Sequence, residues 1–301
     1  MKHVDLKQDP VNLIYEGLAS QAEYDVRHFK SPVKRFRASE MANCSRQIAM
    51  RLAGYLPEPR PQFLGLVGAA GNMYHDFVRA VGRQHGMPIR GIEFKDGGKQ
   101  DEGGVIVSRF DRKGVSFDIS CRADGDIELE LESGETVMAV LEIKSMNPRA
   151  LYYMEKEFKV GGPLASFKYA QERKQHYTWQ GNTTALLKKR DYVYLLLVDR
   201  GSAQIGLSTG GYPVPGTWDP TEAKRIGGAV WKVEPTDKTA IIDKATRITQ
   251  IMQASKLPDP EYAPSSMQCK QCPFFYRCHG AEQRQANGLS PRYPVEGVID
   301  L

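Results

Sequence analysis

Apolar and polar positions change period several times along this chain, and each change marks an element. Residues 1–37 are polar and weakly patterned, with one short helical stretch around Val11–Ala22. Ser39 is placed to cap a helix through Ala53, which Gly54 ends. Pro57, Pro59 and Pro61 mark a loop. Between Leu66 and Gln84, Tyr74, Phe77, Val78 and Val81 recur at helical spacing as one apolar stripe. Short alternating or apolar runs follow at Ile89–Phe94, Gly104–Phe110, Val115–Leu131 and Thr136–Ser145. Turns at Asp96-Gly97-Gly98 and Ser133-Gly134 separate them, as in a strand meander. Leu164–Lys189 reads as helix, with Gly181 a candidate interruption. Tyr192–Val198 is wholly apolar, the pattern of a central strand covered on both faces. Residues 201–220 are rich in Gly, Pro and Ser and read as loop, and Thr239–Ser255 reads as an amphipathic helix. No repeat interrupts this order, which predicts an α/β or α+β domain around one core sheet.

The 301 residues suit one large domain or two small ones. A hydrophobic share of 41% with 26% charged residues excludes a disordered, collagenous or coiled-coil chain. No apolar run reaches the roughly 18 residues of a membrane span. The opening MKHVDLKQDP has no apolar stretch of the signal-peptide kind, so a reducing, cytoplasmic compartment is expected. There the five cysteines are more readily metal ligands or free thiols than disulfides. The net charge of +5 is mild but unevenly spread. Asp25–Arg60 holds eight Lys/Arg against three acids, and Lys168–Arg190 six against one, whereas Asp118–Glu135 holds seven acids and one Arg122. Basic surfaces flanking an acidic pocket suit a polyanion held against bound cations. Taken alone, such runs are ordinary solvated faces.

Two segments give the acidic stretch a chemical meaning: Cys121-Arg122-Ala123-Asp124-Gly125-Asp126 and Val140-Leu141-Glu142-Ile143-Lys144. A turn centred on Ser133 pairs residues whose numbers sum to a constant, which sets Asp124 opposite Glu142. Directly opposed residues share a face, and Lys144, two positions on, shares it too. Burying facing carboxylates is costly unless a cation relieves them, and hard oxygen donors favour Mg²⁺ or Mn²⁺. Such an ion lowers the pKa of a bound water and neutralises charge developing on a phosphodiester. Glu-x-Lys by itself is more simply a surface pair on an edge strand. The upstream Asp at hairpin-matched spacing shifts the balance to a metal site. Asp126 shares the parity of Asp124 and is the competing carboxylate. Separately, Cys269-x2-Cys272-x5-Cys278 lies near the C-terminal end and Cys44 far upstream. Four such thiols can make a tetrahedral site for zinc or iron–sulfur, which spacing alone does not choose between.

Asp124 followed 18 residues later by Glu142-Ile143-Lys144 resembles the signature of the PD-(D/E)XK nucleases. The RecB-like branch adds an upstream helix histidine, here His75 in Gly71-Asn72-Met73-Tyr74-His75. It also adds a later helix bearing Gln and an aromatic, here Gln175 and Trp179, with Tyr177 or Gln171 as alternative occupants. Cys44 with the C-terminal trio resembles the iron–sulfur subgroup of that branch, which includes the CRISPR-associated RecB-like exonucleases, the AddB-nuclease group and related viral enzymes. The resemblance covers about Ser39–Cys278. It implies a restriction-endonuclease-like α/β core, a central mixed sheet flanked by helices, with a cysteine-bound helical lobe. It further implies an N-terminal extension over 1–37, a nuclease domain over 38–278 (lobe 38–60 and 257–280, core 64–256) and a tail over 279–301. The implied activity is Mg²⁺- or Mn²⁺-dependent hydrolysis of DNA, as an exonuclease favouring single strands or ends, in recombination, replication or repair. The host would be a bacterial, archaeal or virus-infected cell. His75, Asp124, Glu142 and the Ile143 carbonyl would hold the metal, Lys144 would position the attacking water, and Gln175 would orient the site or the strand. Cys44, Cys269, Cys272 and Cys278 would hold a [4Fe–4S] cluster, zinc being the alternative, and Cys121 is left out. Lys174, Tyr177 and Trp179 would line the DNA channel. Two rivals accompany this reading: a non-catalytic nucleic-acid-binding protein with a Cys₄ staple, and a subunit that trims DNA only with recombination or CRISPR-type protein partners.

Overall fold

The computed structural model describes residues 34–58, 75, 80, 84, 89–90, 105–131, 133–146, 175–199 and 226–288. The expected Leu66–Gln84 helix is represented by His75, Ala80 and Gln84, all helical. The 201–220 loop, the stretch around Val11–Ala22 and the first part of the Leu164–Lys189 helix lie outside the described residues. In chain order the elements are β1 (Phe36–Arg37), a 3₁₀ turn (Ala38–Glu40), α1 (Ser45–Leu52), β2 (Ile89–Arg90), β3 (Val105–Arg112), β4 (Val115–Arg122), β5 (Gly125–Glu130), β6 (Thr136–Met146), α2 (Gln175–Lys188), β7 (Tyr192–Asp199), β8 (Ile226–Lys232), α3 (Pro235–Gln253), α4 (Met267–Lys270) and α5 (Phe275–Ala286). Among these, no helix is long and apolar enough to cross a membrane.

The class is α/β, with mixed sheets flanked by helices, as the sequence leads one to expect. Instead of one sheet there are two: β1-β4-β3 and β2-β5-β6-β7-β8. The apolar run Val115–Leu131 divides at Ala123-Asp124, so β4 joins one sheet and β5 the other. The β5–β6 hairpin pairs Gly125 with Leu141 and Glu130 with Thr136, which is the expected constant sum. Gly134 makes its turn at φ 80, a left-handed conformation that glycine adopts without strain. β6 and β7 run parallel, with α2 between them in sequence and packed across both. Alternation along β6 divides two cores. Val140 packs with Ala185 of α2, Val193, Leu195, Leu197 and Trp231. Ala139, Leu141 and Ile143 pack on the opposite face with Ile127 and Leu196. Gly181 does not interrupt α2. A Cβ there would stand 2.8 Å from Val193 Cγ1 and 3.1 Å from Trp231 Cζ2, so glycine lets the helix lie close on β7.

The first helix starts later than Ser39. A 3₁₀ turn and a bend precede it, Cys44 occupies its N-cap, and Gly54 follows its end at φ 89. The described residues divide into two compact units, one holding 34, 43–58 and 251–288, the other 35–42 and the described residues from 75 to 250. The first is joined by bonds between distant segments. Glu58 N donates to Pro273 O at 2.6 Å, Tyr276 N donates to Glu58 Oε1 at 2.5 Å, and Arg46 donates to Pro258 O at 3.0 Å.

Candidate active site

In the larger unit, strand parity puts Val140, Glu142 and Lys144 on the face of β6 that α2 covers. Asp124 stands just before β5, and its neighbour Gly125 pairs with Leu141, so the hairpin carries Asp124 alongside Glu142. Asp124 Oδ2 accepts the Ile143 N–H at 2.8 Å, and Oδ1 lies 3.1 Å from His75 Nδ1. Glu142 is fully buried. Its Oε1 accepts from Lys144 Nζ and from Gln180 Nε2, the latter at 2.5 Å, while its Oε2 has no hydrogen-bond partner among the described residues.

These contacts make the two acids different. Burial pushes Glu142 up from 4.5 to about 7; Lys144 pulls it down and Asp124 pushes it up further. Burial also works against ionised Asp124, but the His75 ring, Lys144 and the Ile143 N–H outweigh it and hold this carboxyl below its ordinary value. Burial likewise opposes a charged Lys144, yet Glu142 and Asp124 prevail and keep the ammonium protonated. The pocket thus holds a fixed anion, a fixed cation and a carboxyl that ionises near neutrality. A hard cation beside two such carboxylates would meet oxygen and nitrogen donors of the kind divalent metals take. The unpartnered, buried Glu142 Oε2 fits that role. As they stand, no three His, Cys, Asp or Glu side chains among the described residues close into a ligand group.

The other expected residues distribute unevenly. Ile143 contributes its N–H to Asp124 and buries its side chain in the opposite core. Gln175 is exposed at the start of α2, and Gln180 is the glutamine that reaches Glu142. Five residues turn a helix by about 140° past a full revolution, so the two cannot share a face. Tyr177, three residues before Gln180, does share it. Tyr177 is half-buried and packs on the core beside Val140. Trp179 is half-buried with Lys244 Nζ 5.3 Å from its ring centre. Lys174 and Gln171 lie outside the described residues. Asp126 is engaged elsewhere: Lys188 Nζ stands 2.8 Å from Oδ1 and Arg190 3.3 Å from Oδ2. Cys121 is buried near Lys188 and Thr184, its thiol pushed up to about 11 by burial.

The smaller unit gathers the other four cysteines, all unbridged. Cys44 precedes α1, Cys269 lies in α4, and the N–H of Cys272 bonds to the Cys269 carbonyl at 2.9 Å, which closes the Cys-x2-Cys turn. Cys278 sits in the first turns of α5, ahead of a break at Gly280. Burial raises Cys272 to about 12, and the nearby Cys278, Cys44 and Cys269 raise it further. No three of these thiols close into a metal-ligand group among the described residues.

No protein-family model matches this sequence, and no curated protein matches it. Among solved structures, the chain is similar to SSO0001 at 15% identity and a TM-score of 0.46, over 91% of this chain and 98% of that one. It is similar to the alkaline exonuclease LHK-Exo from Laribacter hongkongensis at 11% identity and a TM-score of 0.38, over 80% of this chain and 97% of that one. With LHK-Exo in complex with dAMP the identity is 12% and the TM-score 0.42, over 74% of this chain and 90% of that one.

Proposed function

We propose that this protein is a divalent-metal-dependent DNA nuclease, an exonuclease favouring single strands or ends, with its site on the β5–β6 hairpin. The observation behind the proposal is one buried face that holds Asp124, Glu142 and Lys144 within reach of His75, with Glu142 Oε2 left without a partner. Asp124, Glu142, His75 and the Ile143 carbonyl would hold Mg²⁺ or Mn²⁺. When bound, the ion would supply an activated water and charge neutralisation at the phosphate. Lys144, protonated by its two acidic neighbours, would hold the attacking water and face the developing negative charge. Gln180 would keep the Glu142 carboxylate turned toward the metal. In the smaller unit, Cys44, Cys269, Cys272 and Cys278 would hold a structural [4Fe–4S] cluster, with zinc as the alternative. Four unbridged cysteines in one unit, three of them at Cys-x2-Cys-x5-Cys spacing, support that role.

The test is digestion of 5′- and 3′-labelled single-stranded, duplex and circular DNA with Mg²⁺, with Mn²⁺, and with chelator. The expected result is metal-dependent loss of linear strands, absent in Glu142→Gln. Intact strands under every metal condition, with Mn²⁺ bound, would instead favour a subunit that cuts only with a partner.

A further inference from the structure

Helix α2 meets the β5–β6 hairpin at two polar points. Gln180 Nε2 donates to Glu142 Oε1, and Lys188 Nζ stands 2.8 Å from Asp126 Oδ1. Asp126 pairs with Val140 across the hairpin, so it shares the α2-covered face with Glu142. Gln180, Thr184 and Lys188 follow at four-residue spacing. That spacing keeps them on one side of the helix and sets the two contacts about 12 Å apart along its axis. The Asp126 end is held twice. Lys189 takes a left-handed conformation (φ 54) that a residue with a side chain rarely adopts, and the Arg190 N–H returns to the Ala185 carbonyl at 2.9 Å. This turn brings Arg190 Nη2 within 3.3 Å of Asp126 Oδ2. The Asp126 and Lys188 side chains are 9% and 12% exposed, so theirs is a buried pair rather than a solvated one. Apolar packing gives α2 little to lock on. Its buried residues are Thr178, Gly181, Thr183, Thr184, Ala185 and Leu187, of which only Leu187 is large and apolar. One residue of slip along such a face would move Gln180 by about 1.5 Å and turn it by about 100°. A buried ion pair contributes little stability beyond that of apolar side chains of its size, and fixing register is its best-attested use.

We infer that Asp126 and Lys188 are positioning residues of the site proposed above: their ion pair, with Arg190 in support, sets the register of α2 that delivers Gln180 to Glu142. The inference rests on that site and extends it to a pair two helical turns beyond Gln180. Asp126 and Lys188 carry opposite charges. A through-space influence on the site would therefore act in opposite directions when each is removed, whereas loss of a clamp acts in one direction.

The test uses the full chain as wild type, Asp126→Asn, Lys188→Met, Lys188→Arg, Gln180→Ala and the double variant Asp126→Asn/Lys188→Met. Two readouts are taken well below the melting temperature. One is single-turnover cleavage of a labelled single strand with Mn²⁺. The other is the NMR signal of the Gln180 side-chain amide in the metal-free protein, assigned by its loss in Gln180→Ala. Asp126→Asn and Lys188→Met are each expected to slow cleavage about tenfold, as Gln180→Ala does, and to move the Gln180 signal to the position of a solvated amide. Lys188→Arg, which keeps a charged donor, is expected to recover most of both. In the Gln180→Ala background, Lys188→Met should add no further slowing. Should a single variant fail to fold because one charge is left buried alone, the double variant, which removes both, must show the same two losses. An unmoved Gln180 signal in these variants would overturn the inference whether or not DNA is cut. So would wild-type cleavage in them, cleavage changes of opposite sign in the two single variants, or losses for Lys188→Met and Gln180→Ala that multiply. A wild type that cuts no strand under any metal condition would overturn the nuclease reading, and the Gln180 signal would still decide the register.

Discussion

Replacing Glu142 by Gln should make the metal-free protein more stable at pH 8 while removing its activity. Gln keeps the shape and the Oε1 acceptor that Lys144 and Gln180 use, but it cannot ionise. Glu142 is raised in the fold from 4.5 to about 7, an average over its burial, the attraction of Lys144 and the repulsion of Asp124. At about 1.4 kcal/mol for each tenfold change in acidity, ionising it in the fold costs roughly 3 kcal/mol more than in the unfolded chain. The sign follows from the raised value. The fold is relieved of this cost below the ordinary carboxylate range and bears it in full once the pH rises through about 7. Glu142→Gln and wild type should therefore melt together near pH 4.5 and separate progressively up to pH 8. At about 2–4 °C per kcal/mol for a unit of this size, the gap should approach about 10 °C. Mn²⁺ should close it by raising only the wild type, by about 2.7 kcal/mol at a hundred times its dissociation constant. Scanning calorimetry from pH 4.5 to 8, with and without Mn²⁺, measures all three quantities. A pH-independent gap, or equal Mn²⁺ stabilisation of both proteins, would refute the reasoning.

Lys144→Ala should lower strand cleavage by roughly a hundred- to a thousandfold with Mn²⁺ binding retained; cleavage at the wild-type rate would make the hairpin lysine structural. Gln180→Ala should slow cleavage about tenfold and Gln175→Ala hardly at all, and the reverse order in a single-turnover assay would return the role to Gln175. Gly181→Ala should destabilise the fold by about 1–3 kcal/mol, because the added carbon would sit 2.8 Å from Val193 Cγ1. An unchanged melting temperature would show that β7 yields there.

The sequence specifies the hairpin and its register because period-2 alternation and a glycine turn leave one pairing that buries both inner faces. Tyr192–Val198 is equally plain, since a wholly apolar run needs cover on two sides, and β6 and β8 flank it. Other features depend on tertiary contacts that periodicity does not encode. The break between β4 and β5 is hidden because alternation continues through Ala123 and Asp124 while the chain changes sheets. β8 escapes notice because Gly227 and Gly228 dilute its apolar character, although Ala229 and Trp231 are buried in the core. Gly181 reads as a helix breaker until Val193 and Trp231 are seen against it. Gln180 differs from Gln175 only in helix phase, which is set by the packing of α2 on β6 and β7. Helical spacing from Tyr177, three residues before it and packed on the core, and from buried Thr184, four residues after it, was the signal that could have found it. The four-cysteine arrangement is implied by spacing and resemblance, and its members come from segments more than two hundred residues apart in sequence.

Crystals of the full chain soaked in Mn²⁺ would decide whether the hairpin holds a metal. Anomalous scattering should show one peak bonded to Asp124 and Glu142 oxygens at about 2.0–2.2 Å, on the side where Glu142 Oε2 is unpartnered, and no such peak in Glu142→Gln. Density on Asp126 instead, or an empty hairpin at millimolar Mn²⁺ with His75 still bonded to Asp124, would contradict it.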